Sequence, residues 1–262
     1  MIETVRQFLA WTAWEMEVPK PYGPLHLGFT LVGFTLCALL AWKLRNASER
    51  TSRGIFLGIG IFLLLSEVYK QLMYELVVEP GPGYRWGIFP FHLCSIPMYL
   101  CLILPFVKSE RIKRAMCGFL MTYNMLGGFI SFFEPSGLLH EYWTLTFHAL
   151  IWHMLLVFLG TFIALSGRGC RSRKDYWGAT VTFLVLCAVA FGINCAFWNI
   201  SGGQINMFFV GPANSSLVVF HQISEMLGWY VSTAVYIPAT CLGAYVIYLG
   251  FRFVQRKLPV CG

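Results

Sequence analysis

Long apolar runs alternate with short polar loops along the whole chain. A helix needs about 20 apolar residues to cross a bilayer. On that rule the pattern predicts helices over residues 25–45, 54–78, 86–107, 112–134, 143–166, 176–198 and 229–251. The predicted fold is therefore all-α: a polytopic membrane protein, one bundle of seven transmembrane helices spanning residues 25–262, with no internal repeat. Residues 1–24 read as a separate segment. Phe8, Leu9, Trp11 and Trp14 suggest a short amphipathic helix lying in the membrane interface. Glu3, Glu15 and Glu17 interrupt it, so it does not read as a cleaved signal peptide. The break Pro19-Lys20-Pro21-Tyr22-Gly23-Pro24 then turns the chain into the first span.

Composition agrees with this pattern. The chain is 57% hydrophobic and 12% charged, with mean hydropathy +0.65; a soluble domain carries about 25% charged residues. The formal charge of +7 raises nucleic acid as a partner, but its distribution argues for a membrane instead. Lys43, Arg45, Arg50 and Arg53 follow the first predicted span. Lys108, Arg111, Lys113 and Arg114 follow the third, Arg168, Arg171, Arg173 and Lys174 the fifth, and Arg252, Arg256 and Lys257 the seventh. Of the alternate loops, only the one holding Arg85 carries a basic residue. By the positive-inside rule the N-terminus lies outside and the C-terminus is cytoplasmic. Nine Cys, most of them in apolar spans, do not form the framework of a small disulfide-stapled domain.

Polar residues within spans mark candidate chemistry, because hydrocarbon makes them costly. Glu67, Lys70 and Tyr74 share one helix face at i, i+3 and i+7. That face is either a self-neutralising ion pair or the lining of a polar cavity. The third span opens Pro90-Phe91-His92-Leu93-Cys94-Ser95-Ile96-Pro97, where two prolines distort the first turn and free backbone carbonyls. Cys94 and Cys101 share a face. The fifth span carries His148 and His153, the fourth Asn124 and the sixth Asn194. Gly127 and Gly128 read as packing positions. With the predicted topology, these polar groups from five helices meet at one depth, in the outer half of the bilayer. The loop 199–228 has no Lys or Arg and mixes apolar residues with Asn206, Asn214, Ser215 and Pro212, which suggests a segment folded into the outer interface over that depth.

The stretch His92-Leu93-Cys94, His148, and Asn206-Met207-Phe208 followed by Pro212 and Ser216-Leu217 resembles the YwaF-like integral membrane proteins, which are similar to a eukaryotic transmembrane acyltransferase that builds ether phospholipids with a Cys. The resemblance runs over the predicted helices two to seven. Where the family would have a Pro-rich aromatic turn, this chain has Leu227-Gly228-Trp229-Tyr230. The resemblance implies Cys94 as nucleophile and a helix-five His, first of all His148, as base, with His92 a further candidate. Acyl transfer between phospholipids or lysophospholipids through a Cys thioester would then need no soluble cofactor. Asn124, Ser95 or Lys70 would steady the oxyanion, or Lys70 would hold a lipid phosphate, with Glu67, Tyr74, His153, Asn194 and Asn206 lining the substrate site. The expected location is a plasma membrane, if bacterial, or an internal membrane with the site on its lumenal side.

Two rival readings accompany this one. His92, Cys94, His148 and His153 are all good zinc ligands, so a metal-dependent lipid hydrolase is possible in chemistry, although no His pair sits one turn apart on a helix. A lipid or small-molecule translocator would use the Glu67–Lys70 face as its path.

Overall fold

The computed structural model describes residues 2–257. Residues 258–262 and the side chains of Arg256 and Lys257, which close the predicted basic series, lie outside the described residues. The elements are helices α1 (Ile2–Thr12), α2 (Pro24–Lys43), α3 (Glu49–Met73), α4 (Ile96–Ile103), α5 (Glu110–Phe119), α6 (Met125–Ser131), α7 (Trp143–Leu165), α8 (Arg173–Phe197), α9 (Val218–Leu227) and α10 (Trp229–Lys257). Wide π-turns extend α3 through Tyr74–Val78 and join α5 to α6 through Leu120–Asn124. Among the described residues there is no β-strand, only an isolated bridge between Glu15 and Tyr142.

Five helical runs are long and apolar enough to cross a membrane: Pro24–Lys43, Glu49–Val78, Trp143–Leu165, Arg173–Phe197 and Trp229–Gln255. The other two predicted spans depart from that standard. The third, expected over 86–107, is continuously helical only from Leu93 to Phe106, with one 3-10 turn, Trp86–Ile88, ahead of it. Fourteen residues rise about 21 Å, against a hydrocarbon core of about 30 Å. The helix does not run back through the upstream third because Pro90 disfavours helix in the residue before it. The fourth, expected over 112–134, runs from Glu110 to Ser131, with Glu110, Arg111, Lys113 and Arg114 in its opening turns.

The helices start where their caps dictate. Ser48, Ser109 and Ser172 accept from the backbone N–H three residues on, and Ser172 forms a capping box with Asp175. These three caps belong to the basic loops, and the loops meet at one end of the bundle. Glu49 pairs with Arg53, Lys113 and Arg168, Arg114 pairs with Asp175, and an Arg168 Nη donates to the Ala47 carbonyl. At the opposite end the N-terminal segment is tied to the loop before α7: Trp143 N donates to Trp14 O at 3.1 Å and Met16 N to Glu141 O at 2.6 Å. In α1, Leu9 is buried against Met73, Tyr74 and Leu145, while Ile2, Phe8 and Trp11 stay exposed.

Between the ends, α8 packs on α5, and α2 and α6 pack on α7. Tyr123, Tyr176 and Thr180 form a buried hydroxyl chain that ends on the Cys241 carbonyl. This chain locks α5, α8 and α10 together and leaves α3, α4 and α7 to frame the polar site.

Candidate functional site

Pro97 has no N–H, so the Leu93 carbonyl one turn earlier loses its helical partner. The chain answers with a tight 3-10 turn, Leu93–Ser95, in which Ser95 N donates to His92 O. Side chains from two other helical runs take the freed carbonyls. Asn124 Nδ2 donates to Leu93 O at 3.1 Å, and Trp152 Nε1 donates to Cys94 O at 2.8 Å. The half-buried Cys94 is thus presented on a turn fixed from the α5–α6 run and from α7, with Ser95 within reach of its sulfur.

His148 stands on α7 one turn before Trp152, its ring 5.4 Å from the indole. Its Nε2 is buried without a partner. His153 turns back on its own helix, Nδ1 to Ala149 O at 2.8 Å. His92 holds the loop before it, Nε2 to Gly87 O at 2.9 Å, and packs against Phe209.

Glu67 and Lys70 do pair, Nζ to Oε1 at 2.9 Å, with side chains 5% and 19% exposed. The pair is not isolated. Gln71 donates one N–H to Glu67 Oε1 at 2.7 Å and another to Ile88 O at 2.9 Å, and Tyr84 donates to Gln71 Oε1. Tyr84 lies in the loop outside the spans, and burial pushes its hydroxyl up to about 12. Lys70 is the cation of the site, and its charge is balanced by Glu67. Two more buried polar atoms have no partner here: Glu67 Oε2 and Asn124 Oδ1. Orphaned buried groups of this kind are rare in folded proteins.

The remaining candidates lie elsewhere. Tyr74 does not face the site: it packs with Leu9, Met73 and Leu145 beneath α1, and the Arg85 guanidinium covers its ring. The helix keeps its regular spacing as far as Tyr74, whose N–H donates to Lys70 O, and it is the packing of α1 over this end of α3 that takes the ring. Asn194 is fully buried and clamps the backbone of Met207 from both sides, Oδ1 accepting from N at 2.7 Å and Nδ2 donating to O at 3.0 Å. Asn206 Nδ2 closes the same loop on the Ala213 and Asn214 carbonyls. Phe208 and Phe209 hold φ of 56° there, a conformation bulky residues rarely adopt. The clamp drives Met207 and Phe208 fully into the core and sets Phe209 against His92. The loop 199–228 is therefore part of the packed interior, not only an outer cover.

Trp152, Gln71 and Tyr84 escape a reading of charges and His–Cys spacing. A Trp in a span whose indole N–H must find an acceptor, and a Gln one turn from Glu67, were the available signals. Among the described residues, no three His, Cys, Asp or Glu side chains come close enough to hold a metal ion, so the proposed zinc ligands do not form a set.

The sequence profile of the TMEM164 family matches residues 21–248. The chain belongs to the TMEM164 family. This is a transmembrane protein family, and the long apolar helices agree with it. The TMEM164 match spans α2 through most of α10, so it includes every site residue described above. No curated protein and no solved structure shows a significant match to the chain.

Proposed function

We propose that this protein is a membrane-embedded acyltransferase that moves a fatty acyl group between phospholipids through a thioester on Cys94. The observation that carries the reading is the turn at Leu93–Ser95. Two side chains from other helical runs hold its carbonyls, and a half-buried His148 whose Nε2 is buried and free stands one helical turn from Trp152, which holds Cys94. The resemblance of His92-Leu93-Cys94, His148 and Asn206-Met207-Phe208 to the YwaF-like proteins supports the same roles.

A thiol attacks as thiolate, so it needs a base within reach. A neutral His keeps a lone pair on one ring nitrogen, the form that accepts a proton, and the Nε2 of His148 carries no hydrogen bond. In the reaction, Cys94 Sγ attacks the ester carbonyl of the donor lipid while its proton passes to His148. Collapse of the tetrahedral intermediate breaks the ester C–O bond, and the leaving lysolipid alkoxide takes that proton. The hydroxyl of an acceptor lysolipid then attacks the thioester, its proton passes to His148, and Cys94 leaves as thiolate and is reprotonated. Lys70, held by Glu67, supplies the positive charge that a lipid phosphate or a developing oxyanion needs.

The positive-inside pattern supports an orientation with the N-terminus outside, the basic end cytoplasmic and the site in the outer or lumenal half of the bilayer. In that arrangement Leu93–Phe106 and Glu110–Ser131 complete a bundle of seven membrane helices, with the shorter one seated among its neighbours. Intact-protein mass spectrometry after incubation with mixed phospholipids tests the reading. A hydroxylamine-labile acyl mass on wild type and none on Cys94→Ala is expected. Equal lipid turnover by both proteins overturns it.

A further inference from the structure

α2 packs along α7 and α3 packs on α4, so α2 and α3 stand apart. The gap between them, floored by α7, is an apolar groove of about 550 Å³ whose walls include Leu36, Leu40, Gly58, Ile59 and Leu155. We propose that this groove holds the acyl chain of the lipid whose ester carbonyl lies at Cys94, which rests on the acyl-transfer reading above.

Continuity is the first argument. Ile59 and Leu155 line the groove and also pack on the Leu63, Met98, Trp152 and Leu156 cluster that supports Cys94. The groove therefore adjoins the packing that supports Cys94. Farther along α3, eleven residues or about 16 Å from Ile59 to Lys70, stand the charged groups. That is the division of a lipid with a charged head and an apolar tail.

Shape is the second. Along α2 the groove runs from Phe29 to Leu40, again about 16 Å. Every wall along that length is apolar, so an acyl chain lying in it meets no charged side chain.

The glycines are the third. Gly33 and Gly60 are explained by close neighbours, since a Cβ there would strike Met154 or Leu102. Gly54 and Gly58 are not. They lie one turn apart on the groove wall, and a Cβ at either meets nothing within 4 Å. Without a Cβ at these two positions, the α3 wall leaves room for a hydrocarbon chain to lie close to the helix backbone.

The test uses the full-length protein in phosphatidylcholine nanodiscs that contain phosphatidylcholine with a diazirine at the end of its sn-2 chain. After photolysis, peptide mapping should find labels on Leu36, Leu40 and the 54–59 segment several-fold above the exposed α8 positions Val181, Val185 and Val189. Gly58→Phe fills open space and so spares folding; it should remove the groove labels. Where wild type forms the Cys94 adduct, Gly58→Phe should also shift its acyl chains from long to short by about tenfold or more. Labels in the groove without any Cys94 adduct would keep the groove and defeat the acyl-transfer reading. Labels spread evenly over all exposed helices, unchanged by Gly58→Phe, would overturn the groove and leave the Cys94 chemistry standing. Gly58→Phe altering oligomeric mass with labelling unchanged would assign the face to a second copy and equally overturn the proposal.

Discussion

The indole N–H of Trp152 donates to the carbonyl oxygen of Cys94 at 2.8 Å, so α7 holds the turn of the proposed nucleophile directly. The same helix presents His148 one turn earlier. One rigid element thus fixes both partners of the proposed proton transfer, and small shifts of α7 move them together.

Removing that bond tests the coupling. Trp152→Phe keeps an aromatic ring but leaves the Cys94 carbonyl without its donor. A loss of about 1–3 kcal/mol in unfolding stability is expected, read by thermal unfolding in nanodiscs. The rate of Cys94 acylation should fall further than the stability loss explains, because the turn is no longer set. Unchanged acylation would show that the turn is positioned without Trp152.

The three candidate histidines should separate by variant kinetics. His148→Ala is expected to slow Cys94 acylation by about 10²–10⁴-fold, the usual worth of a positioned general base. His153→Gln and His92→Gln should retain most of the rate, since it is the His148 ring that packs on Trp152, the residue holding the Cys94 turn. An equal loss in His153→Gln would move the base to that residue.

Glu67 and Lys70 form a pair that is costly to halve. Lys70→Met leaves the buried Glu67 carboxylate without its cation and should destabilise the protein by about 3 kcal/mol, the low end for a buried pair because Lys70 is 19% exposed. Glu67→Gln combined with Lys70→Met removes both charges and should recover most of that stability. If lipid phosphate binding depends on Lys70, the double variant regains stability but not activity.

The loop clamp is a stability element. Asn194→Leu leaves both the N–H and the carbonyl of Met207 buried without partners, at about 1–3 kcal/mol for each group. Limited proteolysis between residues 199 and 217 should accelerate in this variant and not in wild type.

His140 lies in the loop before α7, and its pKa is lowered, first by burial and then by the Arg85 and Lys70 charges. The unfolded chain therefore binds a proton there more readily than the folded protein does. The contribution to stability is intact above the unfolded value of about 6.5 and is lost as pH falls toward the lowered folded value. Melting temperature should drop between neutral pH and pH 5 by more in wild type than in His140→Gln. The same slope in both proteins would assign the acid sensitivity elsewhere.

The sequence alone determined the solvent. Runs of apolar residues with basic residues in every second loop mark membrane helices, because hydrocarbon forces each span to satisfy its backbone internally and charge to stay at the ends. It also marked the turn at Cys94, since Pro97 lacks an N–H and something must take the freed carbonyl. Tertiary structure decided what that something is. Trp152 and Asn124 lie 58 and 31 residues away, and no local rule selects them. It likewise decided that Tyr74 leaves the site, because α1 packs over that end of α3 and takes its ring. Asn194 became a backbone clamp and not a substrate contact for the same reason: its partner, Met207, arrives through a loop whose path is set by packing and not by any pattern along the chain.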